Sequence, residues 1–530
     1  MASVPRLLSG ALGGIEAVPV SVEADVSRSG DPQMVVVGLP DASVKESRDR
    51  VAAAMAHAGF EPFRGRVTVN LAPADLRKEG SHFDLPIALA ILLAADGFDA
   101  SLRPASPRRA GEPAREPLDP ERTAIAGELS LDGTVRPVRG VLPLAASLRA
   151  AGATAIVVPR DNAAEAAVVE GLAVYPVANL REAYEVLSGE GGPMPFRGGR
   201  AAAAATDTAE DGPDFAEVKG QEMAKRAIQI AVAGGHNILM IGPPGTGKSM
   251  LARRIPSILP PMTPAEALEA TKIHSVAGLL PPGAGLLRER AFRSPHHTVS
   301  NVGLIGGGAH PSPGEVTLAH HGVLFLDELP EFSRSALEVM RQPMEDGFVT
   351  ISRAAGSARF PSRFMLVAAM NPCPCGYYGD PNHECRCTRT QLQHYRAKIS
   401  GPLLDRIDLH IEVPATPLKD LQSLPAGDSS ADLRAGVLAA RGVQAVRFGT
   451  AARTNASMQR RDLERFCRMD ARCLEVMNFA IREMKFSPRA HDRILKVART
   501  IADLAGHDAL EPGDIQEALG FRALDRAAWT

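Results

Sequence analysis

The chain has 530 residues, a formal charge of -2 and a hydrophobic fraction of 45%, which makes it too long for one hydrophobic core and points to about two or three domains. Its near-neutral balance excludes a global nucleic-acid signature, so any DNA affinity has to be local. No uninterrupted apolar run reaches ~18 residues, the first residues Met1 to Arg6 lack a signal-peptide layout and the chain has only six cysteines; the reading is a cytoplasmic protein with no membrane partner.

In chain order, the N-terminal region alternates strand-like runs at 18–22, 34–37, 67–70 and 155–158 with helix-like runs at 42–58 and 84–95. That pattern predicts an α/β or α+β domain with a mixed sheet over residues 1–188. A segment rich in Pro, Arg and Glu at 101–122 reads as a surface loop that interrupts this domain without ending it. Residues 189–213 hold Gly-Glu-Gly-Gly-Pro, Arg-Gly-Gly-Arg and a run of alanines, the composition of a flexible linker.

After the linker comes the most specific signal. An apolar run at 237–241 leads into Gly242-Pro243-Pro244-Gly245-Thr246-Gly247-Lys248-Ser249 and then Met250, the pattern GxxxxGK[ST] behind a strand. Glycines let backbone N–H groups wrap a β-phosphate, Lys248 reaches the β and γ phosphates, and the Ser249 hydroxyl ligates magnesium. ATP with magnesium is therefore the expected ligand.

Downstream lie His296, His297, His310, His320 and His321 around a glycine run at 303–308. Their spacing fits no standard metal cluster, so local hydrogen bonding is expected of them and a mobile loop of the glycines. The buried-strand pattern at 322–326 delivers Asp327 and Glu328 at its C-terminal end, where Asp327 would hold magnesium and Glu328 would polarise the attacking water. A hairpin is expected at 350–359, with Arg353 and Arg359 able to hold a phosphate backbone or simply face solvent. A further strand at 364–370 ends in Asn371, suited to holding the lytic water.

Cys373, Cys375, Cys385 and Cys387 form two C-x-C pairs in one loop. Four thiolates converging this way suit tetrahedral zinc, with His383 as a substitute ligand; free reduced thiols are the alternative. Arg406, on a turn at 401–408, and Arg489, opening a helical run, are candidates for neutralising charge at a γ-phosphate. From 426 to 530 the apolar spacing is helical, as in Val476, Phe479, Ala480 and Met484, then Ile494, Val497, Ala498, Ile501 and Leu504. Residues 432–472 carry nine arginines against four acidic residues, an excess that fits either DNA contact or a solvated face. Cys467 and Cys473 read as core cysteines.

The set GPPGTGKS, LFLDEL, AAMNPCPCGYYGD, KISGPLLDRIDL and SPRAHDRILKVARTIADL resembles the ComM/YifB family of magnesium-chelatase-like AAA+ ATPases over nearly the whole chain. The resemblance implies an AAA+ core of the helix-2-insert type at 214–425, a helical lid at 426–530 and a homo-oligomeric, usually hexameric, ring. By position, Lys248 and Ser249 would be Walker A, Asp327 and Glu328 Walker B, Asn371 sensor 1, Arg406 the arginine finger and Arg489 sensor 2. The glycine-rich insert would point into the pore, and 215–221 would lie near the adenine.

In the N-terminal domain, 78–89 and 127–138 resemble Lon-type protease domains. Where a Ser–Lys dyad would sit, this chain has His82, Phe83 and a run beginning at Val141; protease chemistry is expected to be absent, with Ser81 the nearest hydroxyl. The resemblance implies a helicase driving branch migration of single-stranded or branched DNA in natural transformation. A protein-remodelling motor like the magnesium-chelatase motor subunit is the alternative, and a nucleotide switch a third.

Overall fold

A computed structural model describes residues 4–27, 33–61, 65–96, 116–197, 212–308, 311–353, 356–380, 383–415, 427–484 and 487–522. Most of the expected loop at 101–122 and of the linker at 189–213, as well as His310, lie outside the described residues. The chain divides into two compact units, one of residues 1–205 with 267–287, the other of 206–266 with 288–530.

The first unit is built on a seven-stranded sheet in the order Gln33–Val37, Arg66–Ala72, Glu16–Val26, Arg6–Gly13, Thr123–Ile125, Ala155–Pro159, Ala173–Val177. Glu16–Val26 pairs antiparallel with both its neighbours, and the other pairings are parallel. The mixed sheet expected from the sequence is present. Its core joins Val20, Val22, Val67 and Val69 to Leu85, Ile87, Leu89 and Ile91 of the helix Asp84–Asp96. That helix is apolar on nearly every side and accordingly buried almost throughout.

Residues 267–287 belong to this unit, although the sequence reading placed them inside the 214–425 core. Some of the contacts that tie them to it are polar and buried. Glu165, only 4% exposed, accepts hydrogen bonds from Leu142 N at 2.8 Å, from the Asn162 amide at 2.9 Å and from the Ser275 hydroxyl. A buried carboxylate needs such donors. Ser275 O in turn accepts from Gly140 N at 3.2 Å, and Gly283 N donates to Asp161 O at 3.2 Å.

The second unit carries a five-stranded sheet in the order Phe292–Arg293, Val323–Leu326, Met365–Met370, Ile238–Ile241, Leu409–Glu412, all parallel. The three central strands are buried at every position, which explains their unbroken apolar sequences. The helices Glu222–Gly234, Lys248–Ile258, Ser430–Phe448, Pro488–Ala505 and Pro512–Gly520 share one core with the sheet, through residues such as Ile228, Leu251, Ile255, Val437, Ile494, Ile501 and Ile515. The C-terminal region is thus helical, as its spacing predicts. Register does the positioning: Ile241 lies opposite Met370 and Leu326 opposite Ala368. The residues after these strands therefore emerge at one edge of the sheet. Among the described residues, no helix is long and apolar enough to cross a membrane.

Candidate nucleotide site

The loop 242–247 joins the strand Ile238–Ile241 to the helix Lys248–Ile258. A Cβ on Gly242 would lie 2.1 Å from Val413 O, so the backbone passes where no side chain fits. Gly245 and Gly247 adopt φ of +80° and +88°, left-handed conformations that turn the chain into the helix. The first-turn N–H groups of that helix and its dipole make an anion site.

Four of the expected site residues converge here. Lys248 Nζ donates to Gly242 O at 2.7 Å, Pro243 O at 2.8 Å and Asn371 Oδ1 at 3.3 Å. Burial pushes its ammonium down to about 8, against the opposing pull of Asp327. The Ser249 hydroxyl donates to Asp327 Oδ2 at 2.6 Å, which puts two hard oxygen donors side by side, as magnesium requires. Thr246 Oγ1 braces the loop by donating to Pro243 O at 3.0 Å. Met250 is 47% exposed on the outer side of the helix.

Glu328 has φ of +52°, a rare conformation for a residue with a side chain. Its N–H donates to Asp327 Oδ1 at 2.9 Å, and its carboxylate Oε2 lies 3.3 Å from His297 Nδ1. Sequence reasoning missed this partner. The 31-residue separation carries no helical or strand periodicity, and only the parallel pairing of Phe292–Arg293 with Val323–Leu326 brings the two loops together. Of the other histidines, His296 Nδ1 is 2.9 Å from Thr298 Oγ1, and His320 Nδ1 accepts from Arg363 N at 2.9 Å. The glycine run carries some regular structure. It closes a short helix, Asn301–Ile305, capped by the Ser300 hydroxyl, and pairs Gly306–Gly307 with Ser312–Pro313.

Arg406 and Arg489 share a cavity whose lining does not include Lys248. Both line this cavity, of about 840 Å³, with Arg290, Arg363, Arg453, Arg493 and Lys496, and its lining includes none of residues 242–250, 327, 328 or 371. Arg406 Nη1 donates to Pro402 O at 2.7 Å, and Nη2 pairs with Glu345. Arg406 foremost, with Arg489 further out, holds the Glu345 carboxyl below its usual range.

The four loop cysteines also converge. Sγ of Cys373 is 3.3 Å from Cys375 and 3.7 Å from Cys385, and the sulfurs of all four, Cys387 included, lie within 4.8 Å of one another. The Tyr377 N–H foremost draws the Cys375 thiol down, whereas burial pushes Cys373 up. His383 instead faces Asp380 at 3.4 Å. Gly376, at φ of +89°, comes so close to the phosphate loop that a Cβ there would sit 2.7 Å from Pro244 Cδ.

The remaining basic candidates divide. Phe348–Arg353 and Gly356–Pro361 form the expected hairpin, with the Arg359 guanidinium 3.5 Å from the centre of the Phe348 ring. Within 432–472 the arginines split: Arg460, Arg461, Arg465, Arg468 and Arg472 are exposed, while Arg441, Arg447 and Arg453 are engaged internally. Arg441 is half-buried and desolvation pushes it down to about 10, Arg447 pairs with Asp503, and Arg453 pairs with Asp462 at 2.6 Å. Cys467 and Cys473 are core residues. In the first unit the Ser81 hydroxyl donates to Glu128, and His82, buried, points Nε2 at Gly10 O at 2.8 Å.

Residues 22–162 match the family described as subunit ChlI of Mg-chelatase, residues 214–421 magnesium chelatase subunit ChlI, and residues 427–522 the C-terminal part of that subunit. The competence protein ComM of Haemophilus influenzae is 40% identical over 528 residues, covering 99% of this chain and 98% of its own length. YifB of Salmonella typhimurium is 41% identical over 518 residues, 97% of this chain and 96% of its own. The magnesium-chelatase subunit ChlI of Olisthodiscus luteus is 30% identical over 175 residues, 30% of this chain and 50% of its own.

Proposed function

The chain belongs to the ComM/YifB family of magnesium-chelatase-like AAA+ ATPases, and from that premise we propose that it is a cytoplasmic, ATP-driven ring motor that moves the branch point of single-stranded or branched DNA during recombination of incoming DNA. The observation that carries the motor reading is the separation of two half-sites within one chain. Lys248, Ser249, Asp327 and Asn371 meet at the phosphate loop, while Arg406 and Arg489 share the wall of a different cavity. Two groups that line different sites of one chain would complete each other between copies, which favours a homo-oligomeric ring, hexameric by family resemblance.

In such a ring Lys248 and the N–H groups of 245–249 hold the phosphates, and Asn371 and Glu328 orient the attacking water, Glu328 as the group that polarises it. Magnesium, held by Ser249 and Asp327, would supply charge neutralisation at the β and γ oxygens. Arg406 and Arg489 of a neighbouring copy would neutralise the charge that develops on the γ-phosphoryl group. The cysteine loop would hold one zinc. The N-terminal domain is read as a Lon-type fold without the Ser–Lys dyad, consistent with Ser81 engaging Glu128.

The DNA assignment leans on the name of the relative ComM and on the insert at 301–313 and Arg359. On a three-way or four-way junction, protein with ATP is expected to move the branch, and Glu328→Gln to bind the junction without moving it. Binding should weaken steeply with salt. ATP hydrolysis indifferent to every DNA form, with no branch moved, would transfer the proposal to protein remodelling, which the partial match to a chelatase subunit favours.

A further inference from the structure

Between residues 432 and 472 every basic residue is an arginine, and the five at 460, 461, 465, 468 and 472 are exposed. The four carboxylates of that stretch are mostly engaged elsewhere. Asp432 accepts from the Ser429 hydroxyl at 2.6 Å, at the start of the helix Ser430–Phe448. Asp462 accepts from Gln459 N at 2.9 Å and from Arg453 at 2.6 Å. Asp470 accepts from Cys473 N at 2.7 Å, at the start of the helix Ala471–Met484. These backbone N–H groups foremost draw the Asp462 and Asp470 carboxyls below their usual range. Glu464 lies 3.4 Å from Arg460 in a fully solvated pair, an arrangement that contributes little. Arg461 and Arg468 have no ion pair among the described residues, and Arg472 has the capping Asp470 nearby.

The positions of these cations do nothing for the helices that carry them. Arg460 and Arg461 open the helix Arg460–Phe466, and Arg472 lies in the first turn of Ala471–Met484. The positive end of a helix dipole disfavours a cation there. Arg461 and Arg465, four residues apart, stand one turn from each other on the same side of their helix. Arg468 follows on the connection, so the guanidiniums form one run along the chain. A planar guanidinium donates two parallel N–H bonds to a phosphate, which suits arginine above lysine to that ligand. A second kind of group joins them. Phe479 is 69% exposed and sits seven residues after Arg472, hence on the same side of Ala471–Met484. Arg482, three residues further on, is exposed as well, and Glu475 is the exposed carboxylate between Arg472 and Phe479. Exposed aromatic rings among arginines offer a stacking platform to an unpaired base.

We propose that the exposed arginines of 460–472 together with Phe479 form a binding surface for single-stranded DNA, the arginines holding successive phosphates and Phe479 stacking on a base. The proposal rests on the reading of the chain as a DNA motor. It adds a hold on one strand at a place apart from the phosphate loop and from the insert at 301–313. Duplex DNA has the phosphates but keeps its bases stacked on each other, so Phe479 is what makes this surface prefer a single strand.

The test is equilibrium binding of a fluorescent oligonucleotide, single-stranded or annealed to its complement, by full-length protein over a range of salt concentrations. A variant combining Arg461→Gln, Arg465→Gln, Arg468→Gln and Arg472→Gln should bind the single strand roughly 10- to 100-fold more weakly. The slope of log K against log salt should become shallower by about 3, four phosphates at about 0.7 each. Phe479→Ala should weaken single-strand binding about 10-fold, with the slope and the duplex affinity unchanged. DNA-free ATP hydrolysis should equal wild type in both variants, which reports that they fold and assemble. Wild-type affinity and slope in the four-arginine variant overturn the surface. Equal losses on single strand and duplex, with Phe479→Ala binding as wild type, overturn the single-strand assignment. Junction DNA keeps the two failures apart. Wild type that binds no form of DNA brings down the DNA reading itself, whereas wild type and the four-arginine variant binding and moving a junction equally brings down only this surface.

Discussion

The phosphate loop and the arginine-lined cavity sit in the same unit and are built on opposite plans. At the phosphate loop, one contiguous motif supplies most of the groups, and three adjacent parallel strands bring the rest to the same edge. At the cavity, Arg290, Arg363, Arg406, Arg453, Arg489 and Arg493 arrive from separated segments. Several are held by carboxylates: Arg290 by Glu266, Arg406 by Glu345 and Arg493 by Asp408. A site built on one contiguous motif can be read from that motif, whereas a surface assembled from separated arginines shows only charge and shape in the sequence. The difference teaches that the arginines have to be tested in mixtures and the loop in isolation.

The largest effect is expected at Arg406. Arg406→Ala should slow ATP hydrolysis by about 10³-fold, the order associated with an arginine supplied from a neighbour. Mixed with Lys248→Ala protein it should regain activity, because a mixed ring pairs an intact pocket with an intact arginine. Co-assembly without recovery would erase the distinction between the two regions. At the loop itself, Lys248→Ala should weaken nucleotide binding roughly 10- to 100-fold, the worth of charge-assisted hydrogen bonds to phosphate. Titration with a fluorescent nucleotide checks it, and no mixing partner should restore binding to that chain.

A smaller effect is expected from the cysteine loop. Protein purified without chelator should carry one zinc per chain, and Cys385→Ser with Cys387→Ser should lose it. Because Gly376 abuts Pro244, loss of the metal should also weaken nucleotide binding, by about 3-fold, through a loosened phosphate loop. Metal-free wild type with four freely reactive thiols would detach the cysteines from the site.

The last prediction concerns Asp408, which lies between the two regions. It accepts from Asn237 N at 3.1 Å, at the start of the Walker A strand, and pairs with Arg493 at 2.5 Å. Burial works against its charge, but hydrogen bonding to His236 and the charge of Arg493 outweigh it and hold the carboxyl far below the usual range. A depressed carboxyl stabilises the fold above its unfolded value and loses that contribution as pH falls through the folded one. Asp408→Asn should therefore lower stability by about 3 kcal/mol at pH 7. The gap to wild type should stay full down to about pH 4 and shrink below it. Denaturant midpoints at pH 7 and pH 3 measure it, and a gap that widens in acid would reverse the sign.

Legibility followed the same division. The parallel strands were visible because burial on both faces leaves an unbroken apolar run, and the glycines of 242–247 were visible because a backbone wrapped round a phosphate tolerates little else. Arginine counting in 432–472 could not sort the charges for the complementary reason: a charge run on paper does not show that Arg441 and Arg447 turn inward to Val232 O and Asp503 while Arg460, Arg461, Arg465, Arg468 and Arg472 stay exposed. The packing of 267–287 with the first unit was likewise invisible; among its contacts is the buried Glu165 carboxylate, which accepts from Ser275 110 residues away.

What this sequence determined alone is local chemistry: a phosphate loop, paired carboxylates at the end of a buried strand, two C-x-C pairs and a helical C-terminus, each set by spacing within a few residues. What only the tertiary structure decided is which of those groups meet. Asn371 reaches Lys248, Cys373 meets Cys385 and His297 meets Glu328, while Arg406 lines a different cavity with Arg489. Such pairings depend on strand order and register, which follow from packing the whole apolar set into one core and which no short stretch of chain contains.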